Sequence, residues 1–307
     1  EKEEGPSMDL DLTRQTRKQA AMALPVRERR FVPGKLNVWK LLVTIVMLFF
    51  GFLMIVPFVW MFSTSIKSPA ETFVFPFKWI PDEINWNHHI KVWTGPKSFV
   101  TYYLNSIKIA AVATVGATFL SALAGYGFSR IRFKGREALF LAYLSMMMIP
   151  PQVLFVPKFI MFDWIGIYNT HWALILPGMF TILGVFLMRQ FFLGIPQEIS
   201  ESAFIDGAGH LRIFFRIFLP LSKPALATLA IIDFSWHWND YENALVFLLD
   251  EKLYTVPLGL QNFILENTVD YNGMMAAATA GIIPMIIVFL LGQKFIVQGI
   301  TNTAIKG

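Results

Sequence analysis

Residues 233–243, Asp-Phe-Ser-Trp-His-Trp-Asn-Asp-Tyr-Glu-Asn, set carboxylates, an imidazole, amides and aromatic rings into an otherwise apolar stretch. On a continuous helix Asp233, His237 and Asp240 share one face at i, i+4 and i+7, and Trp236, Asn239 and Asn243 share another. Ionisable groups at membrane depth are costly, and they usually mark a path for solute or protons. Rings beside amides and carboxylates suit a sugar, whose C–H faces stack and whose hydroxyls need donors and acceptors. Three chemistries fit the pattern. Asp233, Trp236, His237, Asn239, Asp240 and Tyr241 could line a solute path. Trp236 and Trp238 could anchor an interfacial belt. Asp233, His237 and Asp240 could relay protons.

A second polar stretch, residues 195–224, lies between two long apolar runs and carries acids, two glycines and two arginines. Pro196 can open a helix, because its missing N–H would have no intrahelical partner. Glu198 and Glu201 then fall in the first turns, where the helix dipole favours negative charge. Gly207 and Gly209 allow a sharp bend. A second helix follows, with Arg212 and Arg216 on one face, and Pro220 closes it. The expectation is a short helix, a glycine elbow and a helix returning to the membrane.

Other chemistry is missing from the sequence. Gly34-Lys35 is followed by Leu36, so no phosphate-cradling Gly-x-x-x-x-Gly-Lys-Ser/Thr loop is present. No Gly-x-Ser-x-Gly or His-Glu-x-x-His occurs either. His88-His89 lacks a second pair at metal spacing and reads as a solvated loop. The chain has no cysteine, hence no disulfide and no thiolate.

These residues must be held by membrane helices. The chain is 55% hydrophobic and 15% charged, with mean hydropathy +0.53, against about 25% charged in soluble domains. Spanning takes roughly 20 apolar residues, which predicts spans at about 39–62, 103–128, 138–160, 172–192, 223–248 and 274–296. Pro150-Pro151, Pro157 and Pro177 must kink or break the third and fourth. Arg130, Arg132, Lys134 and Arg136 mark the loop after the second span as cytoplasmic. The basic tail 1–38, which shows no secretory signal, and the 193–222 loop then lie on the same side. Loops 63–102 and 249–273 fall outside. Ala117, Ser121, Gly125 and Ser129, four apart, form a face for close helix packing. A positive charge of +5 speaks here to topology and not to nucleic acid.

Glu201-Ser202-Ala203, Asp206-Gly207-Ala208 and Ile217-Phe218-Leu219-Pro220 resemble the "EAA" cytoplasmic loop of ABC importer permeases, with Ser202 replacing the second alanine. Met148-Ile149-Pro150-Pro151-Gln152, Phe186–Phe192, Trp238-Asn239-Asp240-Tyr241 and the tail Gly299–Gly307 are similar to the carbohydrate-importing branch. The tail departs from it at Asn302 and Thr303. The likeness runs from about residue 100 to the end, and it points to the smaller permease of maltose-type systems. It implies an all-α membrane protein of the type I importer permease fold, with six spans and both termini cytoplasmic. Its parts would be a tail (1–38), a first span with its outer loop (39–102), a permease core (103–298) holding the coupling loop 195–220, and a C-terminal tail (299–307).

The resemblance assigns Glu201, Ser202, Ala203, Phe204, Asp206, Gly207, Ala208 and Gly209 to docking on an ATPase, which the C-terminal tail would also reach. Implied partners are a second, homologous permease forming a heterodimer, two ATPase subunits and an extracytoplasmic sugar-binding protein, in a bacterial or archaeal cytoplasmic (inner) membrane. ATP and magnesium would bind in the ATPase subunits, and this chain would hold no cofactor, metal or catalytic residue. Transport would proceed by alternating access. The rival is a proton-coupled secondary transporter using Asp233, His237 and Asp240, which would need no ATPase.

Overall fold

The apolar runs fold as helices, and the polar breaks between them set where the chain turns. The computed structural model describes residues 38–95, 99–263 and 270–304, with side chains to residue 295. The basic tail before Val38, residues 264–269 of the outer loop 249–273 and Ile305–Gly307 lie outside the described residues, as do the side chains of the rest of the C-terminal tail. The chain divides into two units, Glu1–Ile55 and Val56–Gly307. Within the first, Val38–Ile55 is helical and exposed along its whole length. This stretch belongs to α1, Val38–Ser65, which at 1.5 Å per residue is about 42 Å long, enough to cross a bilayer.

In the second unit come α2 (Asn87–Thr94), α3 (Phe99–Arg130), α4 (Arg136–Ser145), α5 (Phe155–Trp164), α6 (Trp172–Gly178) and α7 (Ile182–Leu193). These are followed by α8 (Glu198–Ile205), α9 (His210–Ile213), α10 (Leu219–Leu221), α11 (Lys223–Trp238), α12 (Glu242–Phe247), α13 (Val256–Leu260) and α14 (Tyr271–Ala304). No strand occurs among the described residues. Four helical stretches are long and apolar enough to cross a membrane, or up to six if each of two bent pairs is one span.

The third predicted span is broken as its prolines require. Arg136–Met148 and Pro151–Trp164 meet at 96°. The fourth breaks after Pro177, between α6 and α7. The fifth departs from its predicted 223–248. Helix α11 stops at Trp238 after 16 residues, about 24 Å, short of a hydrocarbon core of roughly 30 Å. It is long enough to cross only together with His210–Leu221, to which it stands at 78°.

Helix α3 is the axis of the second unit. The small residues read from the sequence are its packing face: Ala117, Ser121, Gly125 and Ser129 are all buried. A Cβ on Gly125 would come 2.8 Å from Met188 Cβ and 2.9 Å from the Arg189 nitrogen, and one on Gly184 would come 2.4 Å from Ser121 Oγ. Gly125→Leu should therefore force α3 and α7 apart, at about 1–3 kcal/mol. Gly127 has nothing within 4 Å of its would-be Cβ, so Gly127→Ala should gain roughly 0.5–1 kcal/mol from helix propensity. Thermal unfolding in detergent should show the two midpoints moving in opposite directions.

Hydrogen bonds close one end of the unit. Tyr102 Oη donates to Glu251 Oε1 at 2.6 Å, Asn105 Nδ2 to the Lys252 oxygen at 2.9 Å, and Val256 N to Ser106 Oγ at 2.8 Å. Buried Asn272 shares its amide N–H groups among Thr64 O (2.8 Å), Lys67 O (3.1 Å) and Thr72 Oγ1 (2.9 Å). Asn272→Leu would leave the Lys67 carbonyl buried without a donor, while Thr64 O keeps the Lys67 N–H, and the expected loss, read in the same thermal assay, is roughly 2 kcal/mol. The His88-His89 pair is not a solvated loop. His88 is buried, and His89 Nε2 is 3.0 Å from Ser65 Oγ.

The other end gathers Tyr126, Phe192, Phe214, Phe218 and Ala203 into one apolar cluster. The arginine-rich loop after α3 and the 193–210 segment meet there around a shared cavity.

Candidate functional site

The loop at this end forms the expected short helix, elbow and return. Helix α8 starts at Glu198, two residues after Pro196, with Glu198 and Glu201 in its first turn. Its end is a Schellman motif. Ala208 N donates to the Ala203 oxygen at 2.9 Å and Gly207 N to the Phe204 oxygen at 3.0 Å, with Gly207 in the left-handed region at φ +77°. Gly209, at φ −77° and ψ 165°, is ordinary extended backbone capping α9. Only Gly207 therefore needs to be glycine for its conformation. Pro220 does not close the second helix, which runs on to Leu221. A widened π turn over Phe214–Phe218 precedes it, because Pro220 has no N–H for the ordinary bond back to Arg216.

Helix α8 has two faces. Ser200 and Ala203 are buried, whereas Glu201, Ser202, Phe204 and Asp206 are exposed. Gln197 Nε2 donates to Glu201 Oε1 at 2.9 Å. Ile205, which sequence reading passed over, is 87% exposed at the tip of the helix. An isoleucine between Phe204 and the Asp206-Gly207 turn, where a polar residue would be expected, was the signal available.

Two ties bind the loop to α3. Upstream, the Arg130 guanidinium donates to the carbonyls of Phe192 and Ile195 and lies 4.9 Å over the Phe218 ring. Downstream, Tyr126 Oη is 3.2 Å from His210 Nδ1, and the His210 ring meets Phe204 edge-on at 4.9 Å. Tyr126 is 2% exposed, seated 5.1 Å from the Phe218 ring and 5.4 Å from the Phe214 ring. Between the ties lies a cavity of about 890 Å³ whose lining includes Arg130, Arg132, Glu198, Glu201, Phe204 and His210.

The second polar site is a cavity of about 810 Å³, within the usual size of small-ligand pockets. Trp236, His237, Asn239, Asp240 and Tyr241 line it, joined by Lys158, Gln152 and Gly178 from the broken third and fourth spans. Asp233 is not in the lining; it is 5% exposed, and its Oδ2 has no hydrogen-bond partner. The continuous helical face expected for Asp233, His237 and Asp240 is thus cut at Asn239, and so is the face joining Trp236, Asn239 and Asn243.

The break has a local cause. Asn239 Nδ2 donates back to the Ser235 oxygen at 2.8 Å. The Asp240 carboxylate accepts from Asn243 N at 3.1 Å and from Asn243 Nδ2 at 3.0 Å. Asn and Asp side chains that bond to nearby backbone compete with the helix. The two tryptophans also part company. Trp238 is buried, its Nε1 donating to the Gly281 oxygen at 3.0 Å, so it is packing and not part of an interfacial belt. Trp236 is 71% exposed.

Gln152 Nε2 donates to Glu242 Oε2 at 2.9 Å, and Gln261 donates to the Tyr241 hydroxyl. The wall so built offers carboxylates, amides, a lysine and an indole face, which is chemistry for a hydroxyl-rich solute. Lys158 was missed because the apolar run around it dominates, although a lone lysine inside a predicted span is itself a signal. Among the described residues no group of three His, Asp or Glu is placed to hold a metal ion.

A family model described as binding-protein-dependent transport system inner membrane component matches residues 117–302. The chain is 36% identical to the probable ABC transporter permease protein YurM of Bacillus subtilis, covering 91% of each. It is 33% identical to the trehalose/maltose transport system permease protein MalG of Thermococcus litoralis, covering 82% of this chain and 91% of that one. A solved chain of a bacterial ABC transporter involved in the import of the acidic polysaccharide alginate shares the fold. Its TM-score is 0.75 at 24% identity, over 84% of this chain and 96% of that one.

Proposed function

The chain belongs to the family of binding-protein-dependent transport system inner membrane components, as a sugar-import ABC permease of the maltose type, and from that premise we propose how it is assembled and driven. It is a multi-pass membrane subunit, not an enzyme. It works as one half of a heterodimer with a second permease, on two ATPase subunits that hold ATP and magnesium, and it receives an oligosaccharide from an extracytoplasmic binding protein. Six spans cross the cytoplasmic membrane with both termini inside, the third and fifth being the bent pairs. The loop 195–220 then shares the cytoplasmic side with Arg130, Arg132, Lys134 and Arg136.

The observation that carries this reading is the build of α8: a short helix ended by a glycine lock, with an exposed face of Glu201, Ser202, Phe204, Ile205 and Asp206. A rigid, partly apolar knob of this kind suits a groove on a partner. Closure of the ATPase dimer on ATP moves the knobs together and the spans rock to outward-facing. The binding protein releases sugar against the wall of Trp236, His237, Asn239, Asp240 and Tyr241, and hydrolysis resets the cycle. Asp233 lies outside that wall; a proton relay would need it in the same water-filled space as His237 and Asp240.

The test is purification of the tagged chain in mild detergent with identification of what accompanies it. A second permease and an ATPase are expected. The chain recovered alone, and driving sugar uptake on a proton gradient, would overturn the reading.

A further inference from the structure

Besides the short link back to α7 over residues 194–197, two routes lead from α8 into the helices. The covalent one passes through α9, the π turn at Phe214–Phe218 and the 78° bend at Ser222 before it reaches α11. The bend turns the chain by 78°, so a push along α8 is not in line with α11. The other route is a contact route. Phe204 of α8 meets the His210 ring at 4.9 Å, and His210 Nδ1 meets Tyr126 Oη at 3.2 Å. Tyr126 is wedged among Phe192, Phe214 and Phe218 on a single 32-residue helix. Further along that helix, Ala113 Cβ lies 3.4 Å from where a Cβ on Gly178 would stand, and the His237 ring of the polar cavity lies 2.8 Å from the same point.

We propose that His210 is a positioning residue: with Tyr126 it forms the strut that delivers displacement of the Glu198–Ile205 helix to the Phe99–Arg130 helix, and through it to the cavity wall. Arg130 holds the segment upstream of α8 to the same helix, so α8 is gripped at both ends and α3 moves with it. The strut rests on the coupling role given to the loop above. It adds that the stroke enters the second predicted span first, not the fifth, which is its neighbour in the chain.

The test uses the assembled transporter in proteoliposomes, with its ATPase and binding protein, and reads sugar taken up per ATP hydrolysed. His210→Ala is expected to keep ATPase association and hydrolysis while uptake per ATP falls about tenfold, the equivalent of ~1.4 kcal/mol. His210→Asn keeps a polar group where Nδ1 stands and should recover most of the loss. His210→Phe keeps the ring against Phe204 without the bond and should not. Tyr126→Phe should match His210→Ala, and the double variant should be no worse than either single one. Wild-type uptake per ATP in His210→Ala, or additive losses in the double variant, would overturn the strut. Gly207→Val is the control. If it uncouples while His210→Ala does not, the strut alone fails; if neither uncouples, the coupling reading of the loop fails with it.

Discussion

Gly207→Val is expected to cut sugar uptake by roughly 30- to 100-fold while leaving the protein folded and in the membrane. Gly207 holds φ +77°, a conformation that costs a β-branched residue on the order of 2–3 kcal/mol. No atom crowds the position, so the cost comes from the backbone and not from a clash. The residue also closes the Schellman pair, Ala208 N to Ala203 O and Gly207 N to Phe204 O. Relieving the strain means unwinding the end of α8, which turns Phe204, Ile205 and Asp206 away from their present direction. At about 1.4 kcal/mol per decade, the population in the docking geometry falls by the factor stated.

ATP hydrolysis in the assembled complex should fall less than uptake, because the nucleotide lies in another subunit. Gly209→Ala is the comparison, since Gly209 has φ −77° and nothing near its would-be Cβ; its uptake should stay within about twofold of wild type. Equal losses at the two glycines would mean that the elbow conformation is not what matters.

How far the molecule could be read from its sequence differs between its two sites, and the difference is physical. The loop was legible because its signals are local. Acids at a helix start, a glycine at a left-handed position and a proline near the helix end act through their own backbone. Even there, Gly207 and Gly209 look alike in the sequence, and only the tertiary path decides which one takes positive φ. The packing face of α3 was legible for a similar reason, since Ala117, Ser121, Gly125 and Ser129 recur at the helical period.

The cavity was half legible. Polar groups between residues 233 and 243 stood out from their apolar surroundings, but a helical projection placed Asp233 with Asp240. The Asn239-Asp240 pair ends the helix there, and that turn chemistry was present in the sequence and underweighted. What no local rule gives is the convergence of distant segments. Lys158, Gln152 and Gly178 join the wall because the third and fourth predicted spans break at prolines, and the direction taken after a break is set by packing.

Asp240 is where the two roles of that turn can be separated, and Asp240→Ala carries the other large expected effect. Its carboxylate lines the cavity and also receives both Asn243 donors. Loss of the cap should cost about 1 kcal/mol of stability. Loss of a charged acceptor facing sugar hydroxyls should cost about 1.5–3 kcal/mol in the transport step, an uptake kcat/KM roughly 10- to 100-fold lower.

Asp240→Asn keeps an oxygen to receive the Asn243 N–H but removes the charge. It should restore the thermal midpoint and leave uptake close to that of Asp240→Ala. Asn243→Ala does the reverse: it strips one donor from the turn, leaves the carboxylate facing the cavity and should hold uptake within a few-fold of wild type. If uptake instead tracks the thermal midpoint across all three variants, the carboxylate serves only to turn the chain. The sugar contacts of this wall would then fall to Trp236, Tyr241 and the amides.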